Sequence, residues 1–202
     1  QVQINAEGQN RICVIPSANY EFDFKHVDYI DDVIKNTDLI VLQLELKLDV
    51  TIEIIKRANK YGTKILFNPA PAVPLDKEIL GLIDIVTPNE TELSILKGMP
   101  TNTDEDVIKA GQELLSYGVK YVVATLGSRG ALIVDNNGAE IINGYKVKAI
   151  DTVAAGDSFN GALAVMLCEN KPMKDAVKFA NAMGALTVQV KGAIPSLHTR
   201  AE

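Results

Sequence analysis

Cysteine is scarce in this chain. Its two cysteines, Cys13 and Cys168, lie far apart in the sequence. Two thiols at that separation match neither the ligand spacing of a zinc site nor the Cys-x-x-Cys of a redox centre. We therefore expect reduced thiols that serve as packing residues, as is usual for proteins of the cytoplasm.

Several common catalytic motifs are also missing. The chain has no G-x-x-x-x-G-K-[ST] run, no G-x-G-x-x-G after a first strand and no G-x-S-x-G. These absences exclude a P-loop, leave little support for dinucleotide binding and exclude a nucleophile elbow. The two histidines, His26 and His198, are isolated, which argues against a Ser-His-Asp triad and against a multi-histidine metal site. We expect both on the surface.

Positive charge and long apolar runs are in short supply as well. The net charge is −6, the pI is near 5.0 and no basic run occurs, which argues against a nucleic-acid partner. No apolar stretch is long enough for a membrane span, so we expect a cytoplasmic protein without a membrane partner. The 202 residues, 47% of them hydrophobic, are enough to bury one sizeable core. Gln1 opens what looks like the middle of a strand, which suggests a fragment.

Short apolar runs alternate with segments of helical spacing. The apolar runs are 39–42, 64–67, 83–86 and 121–124, and the clearest helical segments are 27–34, 50–61 and 104–117. Strands that do not alternate, separated by helices, indicate a parallel sheet that is covered on both faces. The sequence therefore predicts an α/β fold with a doubly wound, mainly parallel sheet.

Two hairpins complete the predicted fold. Residues 2–15 form one, with a turn near 7–10. Residues 131–134 and 140–142 form the other, which a strand at 145–149 follows. Two terminal helices are expected at 156–169 and 173–190.

Polar loops follow the predicted parallel strands. In open α/β sheets ligands bind beyond the carboxyl ends of the strands. The loops there are 43–45, 68–72, 87–92 and 125–130. Gly127, Ser128, Arg129 and Gly130 offer flexible backbone, a hydroxyl and a guanidinium, which suit either a phosphate clamp or a plain turn between strands.

Asn89 and Glu92 lie three residues apart at a helix start. Both side chains therefore share one face of that helix. Mg²⁺ keeps most of its waters and needs only one or two carboxylates besides the phosphates of a substrate, a role that Glu92 fits. A capping box has the same spacing, and spacing alone favours it.

The most informative segment is 151–162, Asp-Thr-Val-Ala-Ala-Gly-Asp-Ser-Phe-Asn-Gly-Ala. Unpaired N–H groups at a helix start attract phosphate, and Ala154, Ala155 and Gly156 keep side chains out of the way. Asp157 either caps this helix or accepts a proton from an attacking hydroxyl. Capping leaves Asp151, six residues upstream, without a task. Phosphoryl transfer to a hydroxyl is the reaction that remains.

These motifs resemble those of the ribokinase-like (pfkB) sugar kinases. Residues 151–161 are similar to the signature Asp-Thr-x-(Gly/Ala)-Ala-Gly-Asp-(Ser/Thr)-Phe of that family, and loops 68–72, 87–92 and 125–130 are similar to its internal motifs. The resemblance implies ATP-dependent phosphorylation of a sugar hydroxyl, with D-ribose as the expected acceptor. A fructose-phosphate, adenosine or ketodeoxygluconate kinase is the alternative within that class, and a non-catalytic nucleotide-binding fragment is the alternative outside it.

The resemblance also assigns roles to single residues. Asp157 is implied as the base acting on the 5-hydroxyl, the amides of Ala154, Ala155 and Gly156 as stabilising the phosphoryl group, and Glu45 as a sugar contact. Asn89 and Glu92 are implied near the phosphates and Mg²⁺. The implied ATP-site residues are Asn89, Thr125, Gly127, Ser128, Arg129, Gly130, Gly156 and Asn181. The implied K⁺ ligands are Asp151, Val153, Thr187, Val190, Gly192 and Ser196.

One departure from the family is large. The amino-terminal part that grips the sugar and builds half of a β-sheet lid has no counterpart in this sequence, and the chain also looks clipped just after Arg200. Residues 1–15 are then the remnant of the lid, and 16–202 the nucleotide-binding and catalytic domain. The resemblance further implies a homodimer formed through the lid of the complete protein.

Overall fold

A computed structural model of the chain describes residues 2–4, 10–12 and 14–200. The strands are β1 (Val2–Ile4), β2 (Asn10–Ile12), β3 (Leu39–Leu42), β4 (Lys64–Phe67), β5 (Ile85–Val86), β6 (Tyr121–Thr125), β7 (Gly130–Asp135) and β8 (Gly138–Asn143). The α-helices are α1 (Phe24–Tyr29), α2 (Asp31–Lys35), α3 (Leu48–Tyr61), α4 (Lys77–Leu80), α5 (Glu90–Lys97), α6 (Asp104–Ser116), α7 (Ala155–Cys168) and α8 (Met173–Thr187).

Strands β3 to β8 form one six-stranded sheet in chain order. The pairs from β3 to β6 are parallel, and β7 and β8 continue the sheet antiparallel. Parallel neighbours need a crossover, which α3 supplies between β3 and β4 and α6 between β5 and β6. The mainly parallel α/β sheet and its antiparallel hairpin are confirmed.

The central strands β4 to β6 are largely buried on both faces, which is why they read as apolar runs. Successive side chains of a strand point to opposite faces. In β4, Ile65 and Phe67 belong to the cluster that includes Leu114 of α6, whereas Leu66 belongs to the cluster that includes Leu163 of α7. Each face of the sheet therefore has its own helical layer, as predicted.

The amino-terminal hairpin is present with altered bounds. Strands β1 and β2 pair antiparallel in a separate two-stranded sheet. Asn10, predicted in the turn, belongs to β2, while Val14 and Ile15 lie outside the strand and are 68% and 82% exposed. The remaining predicted turn residues, 7–9, and Cys13 lie outside the described residues. The division of domains at residue 15 stays a prediction.

Three predicted elements differ from the structure. The helix over 27–34 is two helices that meet at Ile30, and Val33 is 66% exposed. Strand β5 has only two residues, Ile85 and Val86. At Asp84 the side chain replaces a backbone bond to β4, because its carboxylate accepts the Ile65 N–H at 2.8 Å. The strand predicted at 145–149 is absent. The chain leaves the sheet at Gly144, whose N–H donates to the Arg129 carbonyl.

Two expectations about single side chains also need correction. Cys168 is exposed at the end of α7, so it is not a packing residue. His26 is exposed, as expected, and completes a capping box with Asp23 at the start of α1, whereas His198 is half-buried and only partly on the surface. Within the described residues, none of the helices combines the length and apolarity that crossing a bilayer requires.

Candidate active site

The loops after the parallel strands meet at one edge of the sheet. The Leu44 N–H donates to the Ala70 carbonyl at 2.9 Å, and the Thr125 N–H donates to the Pro88 carbonyl at 2.9 Å. These backbone bonds join the loop after β3 to that after β4, and the loop after β5 to the end of β6. The expected cluster of loops at the carboxyl edge is confirmed.

Helix α7 begins at this edge with an open first turn. Ala154 occupies the N-cap position in a left-handed conformation, φ 64° and ψ 7°, and has no side chain that can cap. The Ala155 N–H makes a long bond, 3.3 Å, to the Thr152 carbonyl. Among the described residues, no acceptor binds the N–H groups of Gly156 and Asp157. Free amides at the positive end of a helix dipole form a site for an anion such as phosphate.

Asp157 does not cap α7. It is the third residue of the helix, and among the residues that the structure describes its carboxylate accepts no backbone N–H. Its Oδ1 instead accepts a hydrogen bond from Nε2 of Gln43 at 3.0 Å. Within the described part of the chain, Oδ2 has no hydrogen bond. The capping hypothesis is therefore wrong, and an exposed carboxylate oxygen stands beside the free amides.

A cavity of about 460 Å³ opens next to this helix start. Its walls come from the end of β6 and the turn that follows, from residues 144–152, from the first turns of α7 and from α8. Such a volume lies within the range of ligand pockets. Of the expected ATP-site residues, the cavity is lined by Thr125, Gly127, Ser128, Gly130, Gly156 and Asn181. Asn181 is buried and also donates to the Ile142 carbonyl at 2.9 Å, which ties α8 to β8.

Arg129 is paired with carboxylates outside the cavity, and its role as a phosphate clamp stays a prediction. Its guanidinium pairs with Asp104 at 2.5 Å and with Glu90 at 2.7 Å, outside the cavity lining. These two carboxylates hold the pKa of Arg129 above its usual value. The side chain therefore links the turn after β6 to the starts of α5 and α6. Sequence spacing does not reveal these two carboxylate partners.

Asn89 and Glu92 form the capping box. Asn89 Oδ1 accepts the Glu92 N–H at 2.8 Å, and Glu92 Oε2 accepts the Asn89 N–H at 2.8 Å. Burial raises the pKa of the Glu92 carboxyl, and hydrogen bonds from the Asn89 backbone and the Asn68 side chain partly oppose that rise. Neither Asn89 nor Glu92 lines the cavity.

Glu92 still suits Mg²⁺, because that ion needs few protein ligands when it is shared with phosphates. Among the residues described, no three histidines, cysteines or carboxylates cluster as an independent metal cage.

Asp151 links the segment before α7 to the segment after α8. Its carboxylate accepts the Val153 N–H at 3.1 Å and the Gly192 N–H at 2.9 Å. These two bonds lower the pKa of Asp151. The structure thus brings together three of the residues expected around K⁺. Carboxylate and carbonyl oxygens are hard donors, so these residue types fit an alkali cation, although both Asp151 oxygens already accept a backbone N–H.

The other expected K⁺ ligands lie in segment 187–196. The Thr187 carbonyl accepts the Val190 N–H at 3.2 Å, and the Ser196 hydroxyl donates to the Ala193 carbonyl at 2.7 Å. A cation would therefore share the Thr187 oxygen with a backbone bond.

Sequence reasoning missed some of the residues at this edge. Gln43 was noted only as part of a loop, and its contact with Asp157 has no local signal. Tyr145 and Lys146 line the cavity, although the sequence assigned them to a strand. Glu45, the expected sugar contact, is exposed in the loop after β3.

Known proteins resemble this chain over nearly its whole length. The family model described as pfkB family carbohydrate kinase matches residues 1–200. The chain belongs to the pfkB family of carbohydrate kinases. A ribokinase of Staphylococcus aureus (strain COL) is 40% identical over 197 residues, which are 97% of this chain and 65% of that protein.

Solved structures of pfkB relatives share the fold. The Thermotoga maritima ribokinase structure gives a TM-score of 0.88 at 38% identity, covering 99% of this chain and 66% of that one. An Arabidopsis thaliana ribokinase complexed with ribose and ATP gives 0.88 at 33%, covering 99% and 65%. The chain thus spans about two thirds of the length of these relatives.

Proposed function

We propose that this chain is the nucleotide-binding and catalytic portion of an enzyme that uses ATP to phosphorylate a sugar hydroxyl, converting D-ribose to D-ribose 5-phosphate. The observation that carries the proposal is the uncapped start of α7, where a carboxylate oxygen and unpaired amides face the same edge. The cavity beside it has room for a nucleoside.

The proposed chemistry follows from the residues at the α7 start. Asp157 Oδ2 accepts the proton of the sugar 5-hydroxyl as that oxygen attacks the γ-phosphorus, and ADP leaves with the bridging oxygen. The N–H groups of Gly156 and its neighbours stabilise the negative charge on the transferring group. Small side chains at Ala154 and Ala155 let the phosphate approach the backbone.

Two cations are part of the proposal. Glu92 would hold Mg²⁺ through water beside the phosphates, where the ion neutralises charge on the oxygens. Asp151 and the carbonyls of segment 187–196 would hold K⁺. Asn89 lies next to Glu92 and faces the same phosphates.

The choice of ribose is supported by the relatives that carry the name ribokinase and by the complex of the Arabidopsis protein with ribose and ATP. Glu45, exposed two residues after Gln43, is the proposed sugar contact.

The experiment is sugar-dependent ADP release by the full-length gene product, with a panel of ribose, fructose 6-phosphate, adenosine and 2-keto-3-deoxygluconate. We expect turnover with ribose, a requirement for Mg²⁺, and higher activity in K⁺ than in Na⁺ at equal ionic strength. Turnover with one of the other acceptors, and none with ribose, would show that the proposed substrate is wrong and would identify that acceptor instead. ATP binding by calorimetry without turnover on any acceptor would favour the alternative of a non-catalytic nucleotide-binding protein.

Assembly and location belong to the same proposal. We expect a homodimer formed through the hairpin of β1 and β2, since a two-stranded sheet alone is marginal in water. A monomer on sizing would contradict this. We expect the protein in the cytoplasm, where its ATP is made, and cell fractionation checks it.

A further inference from the structure

One described side chain hydrogen-bonds the Asp157 carboxylate, and it is Gln43. Its Nε2 lies 3.0 Å from Oδ1, although the two residues are 114 positions apart in the sequence. Gln43 directly follows β3, and Asp157 lies in the first turn of α7. The contact exists because α7 packs on β3.

We propose that Gln43 is a positioning residue that orients Asp157 for proton transfer, an inference that rests on the proposed function. A carboxylate in the first turn of a helix, with no backbone N–H bound, is free to rotate about its side-chain bonds. The amide donor fixes the plane of the carboxylate by engaging Oδ1 and leaves Oδ2 free to accept a proton. A misplacement of 1 Å in a reacting group can lower the rate about 100-fold, so a single bond that orients the carboxylate has a measurable effect on turnover.

Gln43 contributes little to the stability of the fold. Its bond to Asp157 is exposed to solvent, where water can replace the amide donor, so the bond contributes little to stability. The packing of α7 on β3 depends instead on apolar contacts, with Leu39 of β3 against the cluster that contains Leu163 of α7. Removing the amide should therefore change turnover while the free energy of unfolding stays the same.

The length and the chemistry of this side chain both matter. Glutamate has the same length but presents oxygen acceptors and a like charge to Asp157. Methionine keeps the volume and loses the donor. The methionine variant thus tests the loss of the hydrogen bond to Asp157, and the glutamate variant adds electrostatic repulsion of the Asp157 carboxylate.

The experiment measures kcat and KM of the full-length gene product with Gln43→Met and Gln43→Glu. The matched control is Gln112→Met, because Gln112 is exposed on α6. We expect kcat to fall about 10-fold for the methionine variant and about 100-fold for the glutamate variant. KM for ATP and for the sugar should stay within about 2-fold, with Tm unchanged, and the control should match the wild type.

A double variant separates this role from the others. If Gln43 acts through Asp157, Gln43→Met has no further effect in an Asp157→Asn background. A kcat within 2-fold of the wild type for both Gln43 variants, or a loss confined to KM for the sugar, would overturn the positioning role while Asp157→Asn still abolishes turnover. Full turnover by Asp157→Asn would instead overturn the proposed function itself, and the positioning role with it.

Discussion

Helices α5 and α7 both begin at the carboxyl edge of the sheet, and their first turns are satisfied in opposite ways. At α5, Asn89 and Glu92 bind each other's backbone N–H groups in a capping box. At α7, the N-cap is a left-handed alanine without a capping side chain, and the acidic residue of the first turn is bonded to a distant glutamine. An Asp or Glu near a helix start can thus bind an N–H group of its own helix or a donor far away in the sequence, and spacing alone does not decide between the two.

The largest loss of turnover among substitutions that compare the two helix starts is expected from adding a side chain to the open first turn of α7. A Cβ at Gly156 meets no protein atom within 4 Å, so Gly156→Ala should fold as well as the wild type. Since Gly156 lines the cavity, the added methyl should displace the phosphate and lower turnover about 100-fold. Steady-state kinetics and thermal unfolding check both parts.

Gly161→Ala is the matched control for the filled turn. It lies in the same helix, its added Cβ also meets no atom, and it does not line the cavity. Equal turnover by the two alanine variants would mean that the open first turn does not bind the phosphate.

At the start of α5, a substitution of Glu92 should separate the role of this residue in metal binding from its role in capping. Glutamine also completes a capping box, so Glu92→Gln should leave Tm unchanged and raise the Mg²⁺ concentration for half-maximal rate about 10-fold. Asp106→Asn, in the capping box of α6, is the control and should leave the Mg²⁺ requirement unchanged.

The pH dependence of the Mg²⁺ requirement follows from Glu92. Burial raises the pKa of this carboxyl, and its protonated form does not bind the ion. In the wild type, the Mg²⁺ requirement should therefore rise on acidification at a higher pH than an ordinary glutamate would give. In Glu92→Gln that rise should be absent. The same pH profile in both proteins would remove Glu92 from the metal site.

Substitutions of the two N-cap residues should change stability in opposite directions. Asn89→Ala removes a side-chain acceptor and should cost about 1 kcal/mol in the free energy of unfolding. Ala154→Gly relieves a positive φ and should gain up to about 1 kcal/mol. Urea titration of both variants measures this. A loss of stability in Ala154→Gly would show that the alanine side chain stabilises the α7 start.

The smallest effect concerns Asp151. Backbone N–H groups lower its pKa in the folded state, so its contribution to stability is present above the unfolded pKa of about 3.8 and is lost as the pH falls through the folded value. Asp151→Asn should therefore lower Tm at pH 7, and the difference from the wild type should vanish in strong acid. A difference in Tm that stays constant from pH 7 into strong acid would contradict this account.

The layers of the fold could be predicted because strands that are buried on both faces are apolar at consecutive positions, and this pattern is visible in the sequence. Strands β3 and β4 have the predicted bounds, since each is an apolar run between helical segments. The length of strand β5 was overestimated, since the Asp84 side chain binds the Ile65 N–H of β4, and composition does not reveal that contact. The strand predicted at 145–149 failed because the chain leaves the sheet after Gly144 and lines the cavity.

The site was predictable as a set of loops but not as a set of contacts. Segment 151–162 identified the helix start, and the family resemblance supplied its chemistry. The bonds from Gln43 to Asp157 and from Arg129 to Asp104 join residues that the sequence keeps far apart, 114 and 25 positions. Neither contact leaves a periodic or spacing signal.

The central claim is that the carboxylate at the α7 start accepts the proton during phosphoryl transfer. The direct measurement is ribose-dependent ADP release by Asp157→Asn, alongside its ATP affinity by calorimetry. Asparagine keeps the shape of the side chain and does not act as a base, so we predict a loss in kcat of at least about 1,000-fold with ATP affinity unchanged. Turnover equal to that of the wild type would contradict the account.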